Sequence, residues 1–453
     1  MEQLTMFDTL WERYKIPKER RIRLIELFAG YGSTRLAMNY IGANYESWKI
    51  SEWALKSIQA YKDLHCGDDN TDYSKGLSVD EITDFLFERG VSKNYNEPMT
   101  REQIVRLGEQ RERESYNNII ATNNLVSVCN VKGADLNIID RDKYEYIMTY
   151  SFPCQDLSLA GKTQGMKKGS GTRSGLLWEV ERILNELSEL NSLPHVLLLE
   201  NVCQVHGTEN WEDFCAWKKT LASLGYCNFW QDLIATDYGV PQTRNRTFMV
   251  SILGDYNYEF PKPRKLETKL RDLLEQDVPE KYFLSEKQIE QIQNWNAYEK
   301  PLETMEKIER ERISPTLTTR TGAFAAGMVL VKDTNKMPIK NATKQGYLIA
   351  EEGDGIDIGG RMETHRGTVQ KNKAQTILTG GGSNGVCVKK SMSKNELGIR
   401  KLTPRECFRL MGVKDNDFDK IAKNQSDDSL YHLAGDSIVV DVLMAIYGEL
   451  IEK

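Results

Sequence analysis

The chain has 453 residues, of which 40% are hydrophobic and 28% are charged, and its formal net charge is −6 at pH 7. These values exclude a disordered or membrane-embedded chain, and the length favours at least two domains. No apolar run approaches the roughly 20 residues of a membrane span, and the charged first residues lack an apolar signal core, so we expect a protein of the cytoplasm or nucleoid.

The first predicted elements form a strand–helix–strand unit. Ile22 to Leu27 is a short apolar run before a glycine turn, which indicates a buried parallel strand. Residues 33–42 have helical spacing, residues 45–53 predict a second strand, and residues 54–65 predict another helix. This alternation predicts an α/β fold with a doubly wound sheet.

A polar and charged segment at about 67–124 interrupts the alternation, and we predict that it forms a helical insertion on the sheet domain. The stretch at 159–175 is rich in Gly, Lys and Ser and is predicted to be a mobile loop. The remaining patterns predict strands at 144–152, at 195–202 and in two parts of 229–253, and helices at 176–190 and 211–226.

The composition changes after about residue 256. Two stretches, 314–331 and 374–388, share one order of small residues, Thr, a Gly-rich turn and a β run, which predicts repeated hairpins. The last residues form a long apolar helix that we expect to pack on the first domain. We therefore predict a first domain at 1–256, a smaller β-rich domain inserted at 257–394, and a return to the first domain at 395–453.

The eight cysteines include no CxxC pair, so we predict no zinc site, no other metal and no disulfide framework. The negative net charge does not by itself point to nucleic acid, although DNA binding needs only a local basic face. Five cysteines with apolar neighbours are predicted to be reduced core residues, namely Cys129, Cys203, Cys215, Cys227 and Cys407.

A glycine turn follows the first strand, at Phe28 to Gly32. Glycines at Gly30 and Gly32 let the backbone approach a ligand, and the following helix N-terminus favours negative charge. Glu52, at the end of the second strand, is typical of an acid that accepts ribose hydroxyls. Trp53 beside it could cover an adenine, although taken alone Trp53 is better explained by core packing. The glycine turn, taken alone, is equally well explained by an ordinary strand-to-helix connection.

Three polar motifs follow later strands. Cys154 comes directly after Pro153 ends a strand, which favours a reactive thiolate over a buried hydrophobe. Glu200 follows four apolar residues and is expected at the same sheet edge, as an acid or as a structural carboxylate. Arg244 and Arg246 alternate along a predicted strand and are expected on one face, facing an anion or forming a surface ion pair.

The order of these motifs resembles the DNA cytosine-5 methyltransferase family along nearly the whole chain. The order is FAGYG, SEW, SFPCQ, ENV and QTRNR, then a variable β-rich stretch, RKLTPRECFRLMG and GDSIVV. The smaller domain looks most like enzymes of bacteriophages or prophages and less closely like bacterial restriction–modification enzymes. The implied fold is a Rossmann-like S-adenosylmethionine-dependent methyltransferase sheet domain, with the smaller target-recognition domain inserted before the C-terminal helix.

The resemblance implies a covalent mechanism. Cys154 would add as a thiolate to carbon 6 of cytosine while Glu200 holds the exocyclic amine and ring nitrogen. Carbon 5 would then take the methyl group of S-adenosylmethionine, leaving S-adenosylhomocysteine, and loss of the carbon 5 proton and of the thiolate would restore the ring. Arg246 is expected to orient Glu200, with Arg244 supporting the network and Gln155 completing the catalytic set.

The resemblance also implies a cofactor site. One departure is Asp436, since the family usually has Asn there, and another is the lack of an obvious adenine-contacting acid after the third strand. Asn130 is our choice for that role and Asp135 the second choice. The expected cofactor-binding residues are Phe28, Gly30, Gly32, Glu52, Trp53, Asn130, Pro153, Leu176, Asp436 and Ser437.

Double-stranded DNA is the expected partner. The target atom lies inside the duplex, so the base must be flipped out, and the loop at 158–172 is expected to close over it. The smaller domain is expected to read base edges, with Arg320 contacting guanine. The residues expected to contact DNA are Ser158, Lys162, Arg173, Thr318, Arg320, Thr379 and Gly381.

Three other functions are weighed. A tRNA cytosine-5 methyltransferase shares the core motifs but has a short variable region. A silent DNA-binding protein would not need the intact set of Cys154, Glu200, Arg244 and Arg246. A small-molecule methyltransferase would leave the large insertion before residue 400 without a purpose. We expect a monomer that modifies DNA; the recognition sequence, any cognate restriction enzyme and the role of the helical insertion stay open.

Overall fold

A computed structural model describes residues 11–153, 166, 168, 173–285, 336–341, 347–358, 369–379, 384–391 and 394–452. The chain divides into two compact units. The first contains 1–240, 244–266 and 411–453, and the second contains 241–243 and 267–410.

The first unit contains a six-stranded sheet, with the strand order β2-β1-β3-β4-β6-β5. Strands β1 to β4 pair in parallel, and β6 runs antiparallel to both β4 and β5. The predicted α/β fold is confirmed, because each strand that was predicted for the sheet domain is present. The strands are β1 (Arg21–Leu27), β2 (Tyr45–Ser51), β3 (Tyr144–Tyr150), β4 (Val196–Asn201), β5 (Tyr226–Ile234) and β6 (Asn245–Leu253).

Helices cover the sheet: α1 (Ser33–Tyr40), α2 (Leu55–His65), α6 (Leu177–Glu189) and α7 (Trp211–Ser223). In α6 the buried residues recur at helical spacing and pack in one cluster with β3 and β4. Every residue of β4 is buried, as expected for a central parallel strand. Burying one large apolar side chain of this cluster stabilises the fold by roughly 1.5–3 kcal/mol. Because many such side chains of β3, β4 and α6 pack together, the cluster fixes the position of the strand ends.

The segment predicted as a helical insertion contains α3 (Val79–Arg89), α4 (Arg101–Val105) and α5 (Glu109–Ala121). Capping boxes begin α3 and α4, which explains why the polar sequence still forms helices. The three helices share an apolar cluster with Ile58 of α2, and Trp53 and Leu55 pack against it. The insertion is therefore fastened to the segment that follows β2.

The C-terminal helices α9 (Asp415–Ala422), α10 (Asp427–Asp436) and α11 (Val440–Leu450) belong to the first unit. Helix α11 packs against α1, and Ile451 forms a parallel bridge with Ile16. The last helix therefore lies in the first compact unit.

The second unit is β-rich, as predicted. The order β10-β9-β11-β12 forms an antiparallel sheet and β7 pairs with β8, around a core that includes Ile339, Ile356 and Ile399. Its elements are β7 (Lys336–Lys340), β8 (Tyr347–Glu351), β9 (Gly355–Asp357), β10 (Val369–Gln370), β11 (Asn384–Ser391), β12 (Lys394–Lys401) and α8 (Pro404–Arg409).

The units divide later in the chain than the predicted limits of 257 and 395. Arg400 of β12 donates to both carboxylate oxygens of Glu406 in α8, at 2.7 and 2.6 Å, and both side chains are buried. Breaking a buried ion pair by removing one partner is strongly destabilising. This pair fastens α8 to the β-rich unit, although its sequence has the compact helical character of the first domain.

Two of the sequence-based exclusions can be compared with the described residues. Within the described ranges, no helix is long and apolar enough to cross a membrane. No group of three His, Cys, Asp or Glu residues could hold a metal ion in that same part of the chain. The prediction of core cysteines was wrong for Cys129, which is exposed, because only its neighbours Val128 and Val131 turn inward. Of the other four cysteines, Cys407 is buried, and Cys203, Cys215 and Cys227 are half-buried.

Candidate functional site

A cavity of about 410 Å³ lies in the first unit, where β1 to β4 end. Parallel strands bring their carboxyl ends to one edge of a sheet, which is where ligands bind in open α/β folds. The cavity brings together most of the predicted site residues, although they are spread over the chain. They are Phe28, Gly30, Glu52, Trp53, Pro153, Leu176, Glu200, Arg244, Arg246, Asp436 and Ser437.

The glycine turn after β1 has left-handed backbone at Phe28 (φ 59°), Gly30 (φ 57°) and Gly32 (φ 83°). A Cβ on Gly30 would meet nothing within 4 Å, so glycine is needed there for conformation. A Cβ on Gly32 would lie 2.5 Å from Nε2 of His65, so glycine there allows close packing against α2. Gly32 thus supports the turn from behind and does not line the cavity.

His65 was not predicted as a site residue. Its Nε2 lies 3.1 Å from the carbonyl oxygens of both Tyr31 and Gly32. Carbonyls only accept, so Nε2 carries the proton and donates to them. Burial lowers the pKa of His65 well below its usual value and keeps the ring neutral. The sequence held no pattern that pairs a residue of α2 with the glycine turn.

Glu52 is held by backbone amides beside this turn. Its Oε2 accepts from the N–H of Gly30 at 2.9 Å and its Oε1 from the N–H of Ala54 at 2.8 Å. Burial raises the pKa of Glu52 to about 7, despite these lowering hydrogen bonds. The backbone of Glu52 exchanges two hydrogen bonds with the amide of Asn124, at 3.0 and 2.9 Å. The carboxyl group is therefore rigidly placed in the cavity wall.

The structure does not bring Asn130 to the cavity. Its Nδ2 donates to the carbonyl of Glu88 at 3.0 Å, at the end of α3. The second choice, Asp135, accepts from the N–H of Lys132 at 2.9 Å and also lies outside the lining. The chain instead presents Val126 to Cys129 to the cavity. The left-handed backbone of Val126 (φ 69°) turns the chain there before Asn130 is reached.

Glu200 is the central polar group at the end of β4. Its Oε2 accepts from Oγ of Ser151 at 2.6 Å, and its Oε1 lies 3.4 Å from Nε of Arg246. The residue is only 4% exposed, and Oε1 is buried without a hydrogen-bond partner among the described residues. A buried carboxylate oxygen left unbonded is costly. Oε1 is therefore positioned to accept from a ligand in the cavity.

The segment that leads to Cys154 is fastened to the same strand end. Nδ2 of Asn201 donates to the carbonyl of Phe152 at 3.0 Å, and Oγ of Ser174 donates to the carbonyl of Pro153 at 2.8 Å. Pro153 lines the cavity. Cys154 and Gln155 themselves lie outside the described residues.

Arg244 and Arg246 have different partners. Nη2 of Arg244 donates to the carbonyls of Gly435 and Ser437, at 3.0 and 2.8 Å, and the side chain is buried. Strand β6 begins at Asn245, so Arg244 directly precedes it, and both arginines line the cavity. Arg246 faces Glu200, whereas Arg244 fastens the start of β6 to the turn after α10.

The predicted pair Asp436 and Ser437 lies at the end of α10: Asp436 is its last residue, and Ser437 follows it. Oγ of Ser437 lies 3.0 Å from the hydroxyl of Tyr31, which joins the C-terminal turn to the glycine turn. Oδ2 of Asp436 lies 3.0 Å from Nε2 of His432. Burial raises the pKa of Tyr31 to about 12, so its hydroxyl stays protonated.

Most of the residues expected to contact DNA lie outside the described ranges, namely Ser158, Lys162, Thr318, Arg320 and Gly381. Arg173 begins a short 3₁₀ helix, and only its backbone is described. Thr379 is half-buried in a turn of the second unit, five positions before β11 begins at Asn384. Their role stays a prediction.

Comparison with known proteins gives a consistent result. Residues 112–452 match the family model of the C-5 cytosine-specific DNA methylases. The chain is 30% identical over 441 residues to the type II methyltransferase M2.ScrFI of Lactococcus lactis subsp. cremoris, covering 95% of this chain and 99% of that protein. It is 36% identical over 272 residues to the orphan methyltransferase M.SssI of Spiroplasma monobiae, covering 59% of this chain and 68% of that protein.

A solved structure supports the fold. The Entamoeba histolytica methyltransferase EhMeth superposes with a TM-score of 0.52 at 14% sequence identity, covering 95% of this chain and 97% of that one. At this identity the likeness concerns the fold alone.

Proposed function

The chain belongs to the C-5 cytosine-specific DNA methylase family and is a DNA cytosine-5 methyltransferase, and we propose that it uses S-adenosylmethionine as methyl donor and Cys154 as nucleophile on a cytosine flipped out of duplex DNA. The observation that carries this proposal concerns Oε1 of Glu200. This oxygen is buried, accepts no hydrogen bond from the described residues, and belongs to a residue that lines the same cavity as the glycine turn.

The cavity fits S-adenosylmethionine in size and chemistry. Its volume of about 410 Å³ lies within the range of small-molecule sites, roughly 300–1,000 Å³. The turn at Gly30 offers an open backbone, Glu52 offers a fixed acceptor for ribose hydroxyls, and Trp53 offers an aromatic face for adenine. When bound, S-adenosylmethionine supplies an electrophilic methyl group.

Glu200 and Arg246 serve the base. Carbon 5 of cytosine is a poor nucleophile until a nucleophile adds at carbon 6, which Cys154 does as a thiolate. Negative charge then develops on the ring, and Glu200 accepts from the exocyclic amine and favours protonation of the ring nitrogen. The guanidinium of Arg246, 3.4 Å from Glu200, holds the carboxyl in place. Once carbon 5 has taken the methyl group, a base removes the remaining proton of carbon 5, and the electrons of that C–H bond restore the ring double bond and expel the thiolate.

The reacting atoms are inaccessible inside a stacked duplex, so the base must be extruded. We propose that the β-rich second unit recognises the target sequence, with Thr318, Arg320, Thr379 and Gly381 among its contacts. Arg320→Ala is then expected to weaken or relax recognition. Unchanged affinity and specificity in a binding assay would remove Arg320 from the interface. The enzyme is proposed to modify DNA as a monomer.

The covalent step is tested with DNA in which every cytosine is replaced by 5-fluorocytosine. Fluorine cannot leave carbon 5 as a cation, so the elimination that releases Cys154 is blocked. With S-adenosylmethionine present, the full chain should form a complex that survives denaturing electrophoresis. Cys154→Ala should form none, and the control Cys215→Ala, altered outside the cavity, should form as much as the unmodified chain. A complex with Cys154→Ala would overturn the assignment.

A further inference from the structure

The helical insertion contributes to the cavity. Tyr95, Asn96 and Pro98, from the loop between α3 and α4, line the same cavity as Gly30 and Glu52. We propose that Tyr95 is a cofactor-positioning residue, and that the insertion forms a wall of the S-adenosylmethionine site. This inference rests on the proposed use of that cofactor.

The loop is attached directly to the segment that carries Glu52 and Trp53. Ser92 N–H donates to the carbonyl of Trp53 at 2.8 Å, and its carbonyl accepts from the N–H of Leu55 at 2.9 Å. Oγ of Ser92 donates to the carbonyl of Glu97 at 2.7 Å, which closes the loop. The insertion therefore moves with the wall that holds Glu52, rather than standing apart in solvent.

Tyr95 has a left-handed backbone, with φ of 63°. For a residue with a side chain this conformation is strained. Such strain persists where the surroundings fix it, often at functional sites. Here it directs the ring of Tyr95 onto His432, with centroids 4.1 Å apart, and the hydroxyl to within 3.2 Å of Oγ of Ser57.

The tilted ring contact between Tyr95 and His432 joins the insertion to α10, whose last residue is Asp436. Nε2 of His432 lies 3.0 Å from Oδ2 of Asp436, and both residues line the cavity with Tyr95. The cavity wall beside Glu52 and Asp436 thus combines two carboxyl groups with an aromatic face. This set suits a ligand that carries hydroxyl groups and a positive charge, as S-adenosylmethionine does.

The test is calorimetric titration of the full chain with S-adenosylhomocysteine, which binds without reacting. Tyr95→Gly removes the ring and relieves the left-handed strain, and the thermal midpoint without ligand is measured alongside to show that the variant stays folded. Its Kd should increase about tenfold, the loss expected for an aromatic contact of about 1.4 kcal/mol. Tyr95→Phe keeps the ring and should bind almost as the unmodified chain does.

A positioning role also predicts a kinetic pattern. With a DNA substrate, Tyr95→Gly should raise the KM for S-adenosylmethionine and leave kcat at saturation nearly unchanged. Lys93→Ala, in an exposed part of the same loop outside the cavity, should alter neither value. A Kd for Tyr95→Gly within twofold of the unmodified chain would overturn this inference and leave the proposed function standing. If the unmodified chain binds neither form of the cofactor, both proposals fail.

Discussion

Oε1 of Glu200 lies 3.4 Å from Nε of Arg246, while its Oε2 accepts from Oγ of Ser151 at 2.6 Å. Three neighbouring elements, β3, β4 and β6, thus fix one carboxyl group at the cavity wall, and one of its oxygens stays available to a ligand. The position of Glu200 is set by the sheet and not by a surface loop, which suits a group that must hold a reacting ring.

Glu200→Gln keeps the size of the side chain and removes its charge. We expect kcat to fall about 100-fold or more, because proton handling by a positioned group contributes roughly 10²–10⁴-fold. Binding of S-adenosylhomocysteine, which Glu200 is not proposed to contact, should be unchanged. The measurement is a single-turnover methyl-transfer assay, with the exposed Glu209→Gln as the control. A kcat close to that of the unmodified chain would exclude Glu200 from the chemistry.

Arg244→Ala removes the side chain that donates to the carbonyls of Gly435 and Ser437. Losing buried hydrogen bonds from a charged group should lower the free energy of unfolding by about 1.5–3 kcal/mol. Cofactor binding should weaken too, because the turn at Ser437 lines the cavity. Urea denaturation measures the free energy of unfolding, and titration with the cofactor measures its binding. The control is Arg106→Ala, at an exposed position. Equal stability of Arg244→Ala and Arg106→Ala would contradict this role.

The pKa of Glu52, raised by burial to about 7, predicts a pH dependence. The ionised carboxyl accepts hydrogen bonds from ribose hydroxyls better than the acid does, so cofactor affinity should rise with pH up to about 7, by at most about tenfold per unit, and level off above it. Glu52→Gln should abolish the rise. Titrations between about pH 6 and about pH 8 test this, and a rise of equal size in Glu52→Gln would assign it to another group.

The raised pKa of Glu52 also makes the stability of the folded chain depend on pH, in the opposite direction to cofactor affinity. A carboxyl whose pKa is higher in the folded chain contributes stability that is complete below its ordinary pKa and is lost as pH rises through about 7. Glu26, whose pKa burial also raises to about 7, should act in the same direction. Without ligand, the chain should therefore become less stable as the pH rises through about 7, and Glu52→Gln should remove only part of that loss.

Gly30→Ala and Gly32→Ala form a matched pair. Both place a side chain on left-handed backbone, which costs of the order of 1–2 kcal/mol. The Cβ of Gly32→Ala would also lie 2.5 Å from His65 and 2.6 Å from Tyr61, whereas that of Gly30→Ala meets nothing within 4 Å. We expect Gly32→Ala to lower the free energy of unfolding clearly more. Gly30→Ala should chiefly weaken cofactor binding, as its backbone lines the cavity. Equal losses of stability would contradict the packing role of Gly32.

The sheet and much of the cavity could be predicted because the signals are local. An apolar run that ends at a glycine, a glutamate or a proline marks the carboxyl end of a strand, and parallel pairing brings those ends together. Phe28, Glu52, Pro153 and Glu200 meet for this reason.

The other contacts depend on pairs that are remote in the chain. Arg244 bonds to Gly435, which is 191 residues away, and no periodicity relates the two. Tyr95 meets His432 only because the insertion packs on α2, so the sequence left the role of that segment open. Asn130 was misplaced because the left-handed turn at Val126 is not favoured by a β-branched residue and could not be foreseen.

Bisulfite sequencing shows whether this chain methylates cytosine in DNA through Cys154. The full chain and Cys154→Ala are each expressed in a bacterial host that lacks cytosine methylation, and the host DNA is sequenced. We expect protected cytosines in one recurring sequence context with the unmodified chain and complete conversion with Cys154→Ala. Complete conversion with a folded, cofactor-binding unmodified chain, or protection that persists in Cys154→Ala, would contradict it.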